Sequence, residues 1–288
     1  MKIECLVDAR AGVGECPLWS PRDNCLWWID SPGRRIHRYD PATARNDSFA
    51  LPDEPGCIAL AGHRLLVAMR HGVALFDPLS GDLEPVAGID YDPATTRFND
   101  GRCDRKGRFW VGSMFEPRTA PDAWLYRLDR GAVLRVVSGI TVANGLAFAP
   151  DGRTLYRSDS PARTVFRHAY DPETGELGPA EIFQRFGPDE GRPDGAAVDR
   201  DGCYWIALYD GGAIMQIAPD GKRLRTIPVP VRCPTMVAFG GPALDRLYVT
   251  SASAGRSEAE LSAHPLSGGL FSFDPGTNGL AEVDCRLD

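Results

Sequence analysis

The sequence predicts an all-β protein, a six-bladed β-propeller with four antiparallel strands in each blade, and three observations support this fold. Pairs of bulky residues recur six times along the 288 residues, about 44 residues apart, which is a period typical of propeller blades. A tight turn precedes most of these pairs, and a further apolar segment follows each of them. The i, i+3, i+4, i+7 pattern of amphipathic helices is almost absent, which argues against a solenoid of helices.

The bulky pairs mark one strand of each repeat. Turns at residues 105–108, 150–153 and 200–203 stand directly before three of the pairs and contain a glycine, which tolerates the positive φ of a hairpin turn. Each turn with its pair therefore predicts a β-hairpin. In chain order the pairs are Trp27-Trp28, Leu65-Leu66, Phe109-Trp110, Leu155-Tyr156, Tyr204-Trp205 and Leu247-Tyr248.

A third strand is predicted after each pair, and turns such as the Asp-Pro-x-x-Gly at residues 171–175 lead into a fourth. Six such units account for nearly the whole chain, so residues 1–288 are expected to form one propeller domain. The strand-like segments 3–8 and 281–287 are expected to share a blade, so that the two termini close the ring and remove exposed edges. The predicted third strands span residues 36–40, 73–77, 125–129, 165–171, 213–219 and 270–274.

Composition argues against several classes of partner. The net charge is −7 and no basic stripe is present, whereas proteins that bind nucleic acids usually carry one. No stretch reaches the roughly 18 apolar residues of a membrane span, and the first residues lack the apolar run of a secretory signal. We therefore expect a cytoplasmic monomer or small homo-oligomer whose partner is a small molecule, not a nucleic acid or a membrane. The eight cysteines form no C-x-x-C pair and are expected to be small buried hydrophobes.

Polar residues occupy the same position in four repeats. The first strand of each blade lines the central channel of a propeller, and counting back about 11 to 13 residues from each marker leads to Glu15, Asn99, Asn144 and Asp194. No Lys or Arg stands at these four positions, and two buried acids without a partner are costly. A divalent cation would supply the missing charge.

Carboxylate and amide oxygens suit Ca²⁺, Mg²⁺, Mn²⁺, Fe²⁺ or Zn²⁺, so one divalent metal ion is predicted and its identity stays open. The alternative is that these residues only form turns, because Asn144-Gly145 and Asp194-Gly195 are ordinary turn signals. Their common position in four repeats of six favours a site.

Four motifs resemble the senescence marker protein and gluconolactonase family, whose members include regucalcin and bacterial gluconolactonases, arabinolactonases and xylonolactonases. The resemblance runs from about residue 4 to residue 270, with the motifs in the family's order. It implies a six-bladed propeller that holds one divalent ion and hydrolyses a sugar lactone. The motifs are GECPLW at 14–19, RFNDG at 97–101, NGLAF at 144–148 and PDG at 193–195.

The resemblance also implies roles for individual residues. The metal ligands match Glu15, Asn144 and Asp194, and the substrate-binding residues match Arg97, Asn99 and Asp100. Glu116 stands in a variable loop where some relatives place a sugar-contacting acid, and a solvated loop carboxylate is the alternative. Cys16 departs from the small Ser or Gly that is usual beside the first ligand, which can alter packing under the metal but removes no ligand.

The expected reaction is metal-dependent hydrolysis of a sugar aldonolactone to the aldonic acid. The ion would polarise the carbonyl and acidify a bound water, with Asp194 as ligand and general base. Specificity is expected in the loops at residues 115–122, 159–163 and 209–211. No Gly-x-Ser-x-Gly elbow is present, which disfavours a serine esterase. The alternatives are another metal-dependent ester or phosphotriester hydrolase on the same scaffold, and a binding propeller without chemistry.

Overall fold

Six four-stranded antiparallel sheets form the ring in the computed structural model, which describes residues 2–129 and 131–287. Each of five sheets takes four consecutive strands, and the sixth adds the first strand of the chain to the last three. The innermost strands contact their counterparts in neighbouring sheets around the channel. They are β2 (Gly14–Ser20), β6 (Pro55–Ala61), β10 (Thr96–Cys103), β14 (Ala143–Phe148), β18 (Arg192–Val198) and β22 (Pro234–Gly240).

The other three strands of each blade follow outward from the channel. The second strands are β3 (Cys25–Asp30), β7 (Arg64–Met69), β11 (Phe109–Phe115), β15 (Thr154–Asp159), β19 (Tyr204–Tyr209) and β23 (Arg246–Ser251). The third are β4 (Arg35–Asp40), β8 (Gly72–Phe76), β12 (Ala123–Asp129), β16 (Thr164–Tyr170), β20 (Ala213–Ile217) and β24 (Leu270–Phe273). The outermost are β5 (Arg45–Ala50), β9 (Leu83–Ala87), β13 (Ala132–Ile140), β17 (Leu177–Arg185), β21 (Arg223–Pro228) and β1 (Glu4–Val7).

The predicted six-bladed propeller is confirmed. Every bulky marker pair lies in the second strand of its blade, and each predicted third strand agrees with the observed one to within two residues at either end. The glycines of the three predicted hairpin turns, Gly107, Gly152 and Gly202, have φ values of 82°, 69° and 84°. The turn chemistry therefore places the hairpins where the repeat predicts them.

The two chain ends behave differently. Strand β1 pairs with β24, with Glu4 opposite Ser272, so the N-terminal segment closes the ring as expected. Residues 281–287 form no strand, and this part of the prediction is wrong. They lie instead across one end of the channel, the end away from Thr96 at the start of β10. There the Cys285 N–H donates a hydrogen bond to the Leu60 carbonyl. Charge is one physical reason: Glu282 lies 2.6 Å from the half-buried Arg102, which needs an anionic partner.

In the described part of the chain, two short helices lie outside the sheets, a 3₁₀ helix at Pro188–Glu190 and α1 at Glu258–Ala263. Ser257 caps α1 by accepting a hydrogen bond from Glu260 N–H. Across residues 2–129 and 131–287, no helix has the length and apolar character needed to cross a membrane.

Large aromatic side chains fill the space between and within blades, and buried aspartates fix some of them. Trp205 is fully buried, and its indole N–H donates to Asp199 Oδ2 at 2.8 Å. The other Asp199 oxygen accepts the Asp201 and Cys203 backbone N–H groups at 3.0 and 2.8 Å. One carboxylate thus joins the β18–β19 turn to the core tryptophan. Asp104 makes the same kind of contacts with the Trp110 indole and its own turn.

We expect Asp199→Ala to lower the free energy of unfolding by about 3 kcal/mol, because four N–H groups, including the Gln216 side-chain amide, lose a charged acceptor. Urea unfolding followed by tryptophan fluorescence measures this. The control is Asp201→Ala, an exposed neighbour in the same turn, for which the change is expected to stay within about 0.5 kcal/mol. Equal effects of the two substitutions would contradict the assigned role of Asp199.

Candidate active site

The inner strands break register where the polar residues stand. The irregularities fall between Glu15 and Leu18 in β2, between Phe98 and Gly101 in β10, and between Asn144 and Ala147 in β14. In β18 the break lies between Pro193 and Ala196, and so includes Asp194. A β-bulge turns a side chain away from its regular direction, and bulges are frequent beside active sites. The Asn-Gly and Asp-Gly pairs, which are turn signals in the sequence, therefore form β-bulges. Their polar side chains meet at one end of the channel.

These side chains share one cleft of about 380 Å³. Its lining includes Glu15, Arg97, Asn99, Asn144 and Asp194, so the structure brings together five of the seven residues proposed from the sequence. The lining found among the described residues does not include the other two, Asp100 and Glu116.

Hydrogen bonds connect the cleft residues across three blades. Asn99 Nδ2 donates to Asn144 Oδ1 at 2.7 Å, and Asn144 Nδ2 donates to Ser160 Oγ at 2.9 Å. Ser160 Oγ in turn donates to the Pro193 carbonyl at 2.7 Å, beside Asp194. At the other end of this series of hydrogen bonds, Arg97 Nη1 donates to Asn99 Oδ1 at 3.1 Å. Both amides are therefore held in one orientation.

Two carboxylates in the cleft form no ion pair with a Lys or Arg of the described residues. Burial and then the charges of Asp194 and Asp100 raise the pKa of Glu15 well above its ordinary value. Burial and then the charge of Asp100 do the same to the pKa of Asp194. Glu15 accepts one hydrogen bond, from the Cys16 backbone N–H at 3.1 Å. No donor within residues 2–129 or 131–287 reaches the Asp194 carboxylate.

The residues present fit a divalent cation. An ion beside Glu15 and Asp194 would offset the burial and repulsion of two charges that nothing else neutralises. Asn144 adds a neutral amide oxygen, which gives a donor set of the type that hard cations prefer. The described part of the chain contains no group of three or more His, Cys, Asp or Glu spaced to hold a metal, so any ion here depends on the amide as well as on the two acids.

Cys16 stands beside the first carboxylate in a left-handed conformation, with φ of 47°. Its thiol accepts a hydrogen bond from Ile58 N–H at 3.3 Å and donates to the Ile58 carbonyl at 3.4 Å. Burial raises the pKa of this thiol far above its ordinary value, so it stays protonated. The side chain therefore links β2 to β6 and does not act as a thiolate ligand.

Asp100 lies below the cleft, and Glu116 lies beside it. Asp100 Oδ2 accepts the Leu146 N–H at 2.7 Å, whereas its buried Oδ1 has no hydrogen-bond partner in the described residues. Burial raises the pKa of Asp100 to about 6.

Glu116 accepts two hydrogen bonds from Arg70, at 2.8 and 2.9 Å, and lies 3.6 Å from Arg97 Nε. Its carboxylate thus holds the arginines at the cleft wall.

Sequence reasoning anticipated part of the remaining lining. Each loop predicted at the channel mouth contributes to it, through Arg118, Ser160 and Tyr209. Arg192 and Arg256 also line the cleft and were missed.

A signal for Arg192 exists in the sequence. It stands two residues before Asp194, as Arg97 stands two residues before Asn99. Side chains two apart along a strand share a face. Val13 and Val142 hold the corresponding places before Glu15 and Asn144, and both line the cleft. Arg256 lies in a loop outside the repeat, where no such rule applies.

Comparison with known proteins gives one consistent family. The family described as SMP-30/Gluconolactonase/LRE-like region matches residues 13–253. A 6-deoxy-6-sulfogluconolactonase of Pseudomonas putida is 41% identical over 283 residues, which cover 97% of each chain. A pentonolactonase of Haloferax volcanii is 37% identical over 296 residues, with both chains fully covered.

A solved structure agrees with these relatives. The calcium-binding protein regucalcin from Agrobacterium tumefaciens superimposes with a TM-score of 0.94 at 30% identity, over 98% of this chain and 97% of that chain. The resemblance predicted from the four sequence motifs is thereby confirmed, and the chain belongs to the SMP-30/gluconolactonase/LRE-like family.

Proposed function

We propose that the cleft hydrolyses the ring ester of a sugar lactone, with a divalent ion held by Glu15, Asn144 and Asp194. The observation that carries this proposal is the pair of carboxylates at the end of the channel, the buried Asp194 and the half-buried Glu15, neither of which forms an ion pair within residues 2–129 and 131–287. The reaction class is supported by full-length relatives that are named lactonases. Lactonases are hydrolases that act on a carboxylic ester.

A bound divalent ion would supply Lewis-acid chemistry at the lactone carbonyl and would lower the pKa of a neighbouring water. The calcium-binding relative and the oxygen-only donors make Ca²⁺ the first ion to test. Asp194 suits the role of general base because its carboxylate accepts no hydrogen bond from the described protein. The water oxygen adds to the carbonyl carbon while Asp194 takes its proton. The bond from that carbon to the ring oxygen then breaks, and the ring oxygen leaves as a hydroxyl after receiving the proton.

Arg97 and Asn99 would position the sugar. Asn99 Nδ2 is occupied by the Ala143 carbonyl and Asn144 Oδ1. Its Oδ1 accepts from Arg97 and keeps a second lone pair that a sugar hydroxyl can use. Asn99 therefore has two tasks, contact with the substrate and orientation of Asn144. We assign Asp100 to support from below, because its carboxylate fixes the β14 backbone at Leu146.

Asp194→Ala is expected to abolish both tight binding of a divalent ion and hydrolysis of aldonolactones. Removing one of two anionic ligands costs most of the affinity at an oxygen site. Calorimetric titration with Ca²⁺, Mn²⁺ and Zn²⁺ measures the binding, and acid release at constant pH measures turnover. Asp122→Ala is the matched control, since this exposed acid lies in a mouth loop outside the lining.

Chelation tests the same proposal without a substitution. Dialysis against a strong chelator is expected to remove the activity. Addition of one equivalent of the ion that binds in the titration, Ca²⁺, Mn²⁺ or Zn²⁺, is expected to restore it. Full activity in a preparation shown by elemental analysis to contain no metal would refute the proposed role of the ion.

Asn99→Ala is expected to lower kcat/KM by on the order of 100-fold, because small misplacement of a substrate is that costly. The affinity for the divalent ion should fall less than about tenfold, since Asn144 keeps its bond to Ser160. Steady-state kinetics and metal titration of the same preparation separate the two effects. Metal affinity lost as completely as in Asp194→Ala would make Asn99 a ligand, and unchanged turnover would make it a purely structural residue.

A further inference from the structure

Arginines dominate the wall of the cleft. Four of them line it, Arg97, Arg118, Arg192 and Arg256, and the acids in the same lining are Glu15 and Asp194. We infer that this wall binds an anionic group of the substrate, so that the preferred sugar lactone carries a carboxylate, sulfonate or phosphate away from its ring carbonyl. The inference rests on the proposed function, which assigns the two acids to a divalent ion. It adds a charge requirement that hydrolysis of a lactone does not itself impose.

Two of the arginines are held rigidly side by side. Arg192 Nη2 lies 2.5 Å from Asp210 Oδ2, and Arg256 Nη1 lies 2.6 Å from Asp210 Oδ1. The Tyr209 ring is 5.0 Å from the Arg192 guanidinium carbon and 5.6 Å from that of Arg256. Cation–π contact and a shared carboxylate therefore fix both guanidinium groups before any ligand arrives. Such preorganised forks suit the oxygens of carboxylate, sulfonate and phosphate groups.

Arg118 completes the wall from the opposite loop. It is exposed in the mouth loop at residues 115–122 with φ of 55°, and within the two described ranges it forms no ion pair. Arg118 lines the same cleft as Glu15 and Asp194. The charge of Arg118 is thus near the proposed reaction centre and available to a ligand.

The ion pairs leave part of the positive charge of this wall without a carboxylate partner. Three of the lining arginines, Arg97, Arg192 and Arg256, share their acids with Arg70 and Arg232, and Arg118, which forms no ion pair in the described residues, brings the number of arginines to six. Four carboxylates pair with them in the described structure, namely Glu54, Glu116, Asp210 and Glu260. Two positive charges remain. A neutral sugar gains nothing from that surplus, whereas an anionic substituent gains charge-assisted hydrogen bonds.

The first experiment compares lactones that differ in one substituent. The full chain, loaded with its divalent ion, is assayed with glucono-1,5-lactone and with derivatives of it that carry a sulfonate or a phosphate at C6. For the carboxylate, glucaro-1,4-lactone is compared with neutral glucono-1,4-lactone, which has the same ring size. We expect kcat/KM to be at least 30-fold higher for one or more of the anionic lactones than for the neutral lactone of the same ring size. This preference should shrink as the salt concentration rises, and the order among the three anions identifies the group.

Substitutions then test whether the wall is responsible. Arg118→Gln and Arg256→Gln are each expected to lower the preference for the anionic lactone by at least tenfold. Arg105→Gln removes the same charge from an exposed turn at the opposite end of β10 and should leave the preference unchanged. Circular dichroism and thermal unfolding check the fold. Arg118 is exposed and forms no ion pair in the described ranges, so Arg118→Gln is expected to fold. It therefore tests the inference even if Arg256→Gln does not fold.

The outcomes separate this inference from the proposed function. Hydrolysis of the neutral lactone without any preference for an anion would overturn the inference and leave the lactonase intact. Failure to hydrolyse any of the lactones would overturn both. An equal loss of preference in Arg105→Gln would show an effect of net charge and would also overturn the anion-binding wall.

Discussion

Close approach of the inner strands around the channel is the constraint on which the rest of the structure depends. A Cβ atom on Gly145 would lie 2.4 Å from the Tyr204 hydroxyl, and one on Gly195 would lie 2.3 Å from the Met236 side chain. Because real Cβ atoms do not approach other atoms so closely, each position needs a glycine. Asn144 and Asp194 directly precede these glycines. The same packing that closes the ring therefore fixes which residues face the end of the channel.

The charges along the channel follow from that closure. Asp100 lies below the cleft acids. Burial is the main cause of the raised pKa of Glu15 and of Asp194, and the charge of Asp100 adds to it. Arg102 lies on the other side of Asp100 and is paired with Glu282 from the C-terminal segment. Its Nη2 also donates to the Ala196 carbonyl at 3.0 Å. The C-terminal segment is thus bound by charge at the end opposite the cleft, while the cleft end keeps its acids free for an ion.

The fold could be predicted almost completely from the sequence because the repeat is local. A bulky pair after a turn specifies a hairpin, and the turn glycines specify where it reverses. The segment 281–287 was placed wrongly because its apolar pattern resembles a strand. Its path is held by contacts with distant residues, among them the ion pair of Glu282 with Arg102, 180 positions away, and the hydrogen bond from Cys285 N–H to the Leu60 carbonyl. No local sequence pattern contains such contacts.

The site illustrates the same limit in another form. Glu15, Asn99, Asn144 and Asp194 could be found because they recur at one position of the repeat. Arg192 follows the same rule two residues earlier, in the place that Arg97 holds before Asn99, and was not predicted. Arg256 could not be found in this way. It reaches the cleft from a loop after β23, and the contact that places it there, with Asp210, joins residues 46 positions apart.

Residues proposed for the reaction and some of the residues proposed for substrate selectivity lie in different parts of the chain. The residues proposed for the reaction lie on inner-strand bulges, where glycine contacts and the Asn99–Asn144–Ser160 hydrogen bonds leave little freedom to vary. Arg118 and Arg256 lie on loops that can change without disturbing the ring. A propeller of this kind can therefore keep one hydrolytic centre while its loops adapt to lactones of different charge. In this chain the wall that supports an anionic substrate combines Arg97 and Arg192 of the inner strands with Arg118 and Arg256 of the loops, so the strands supply the hydrolytic centre and the loops add to the positive charge beside it.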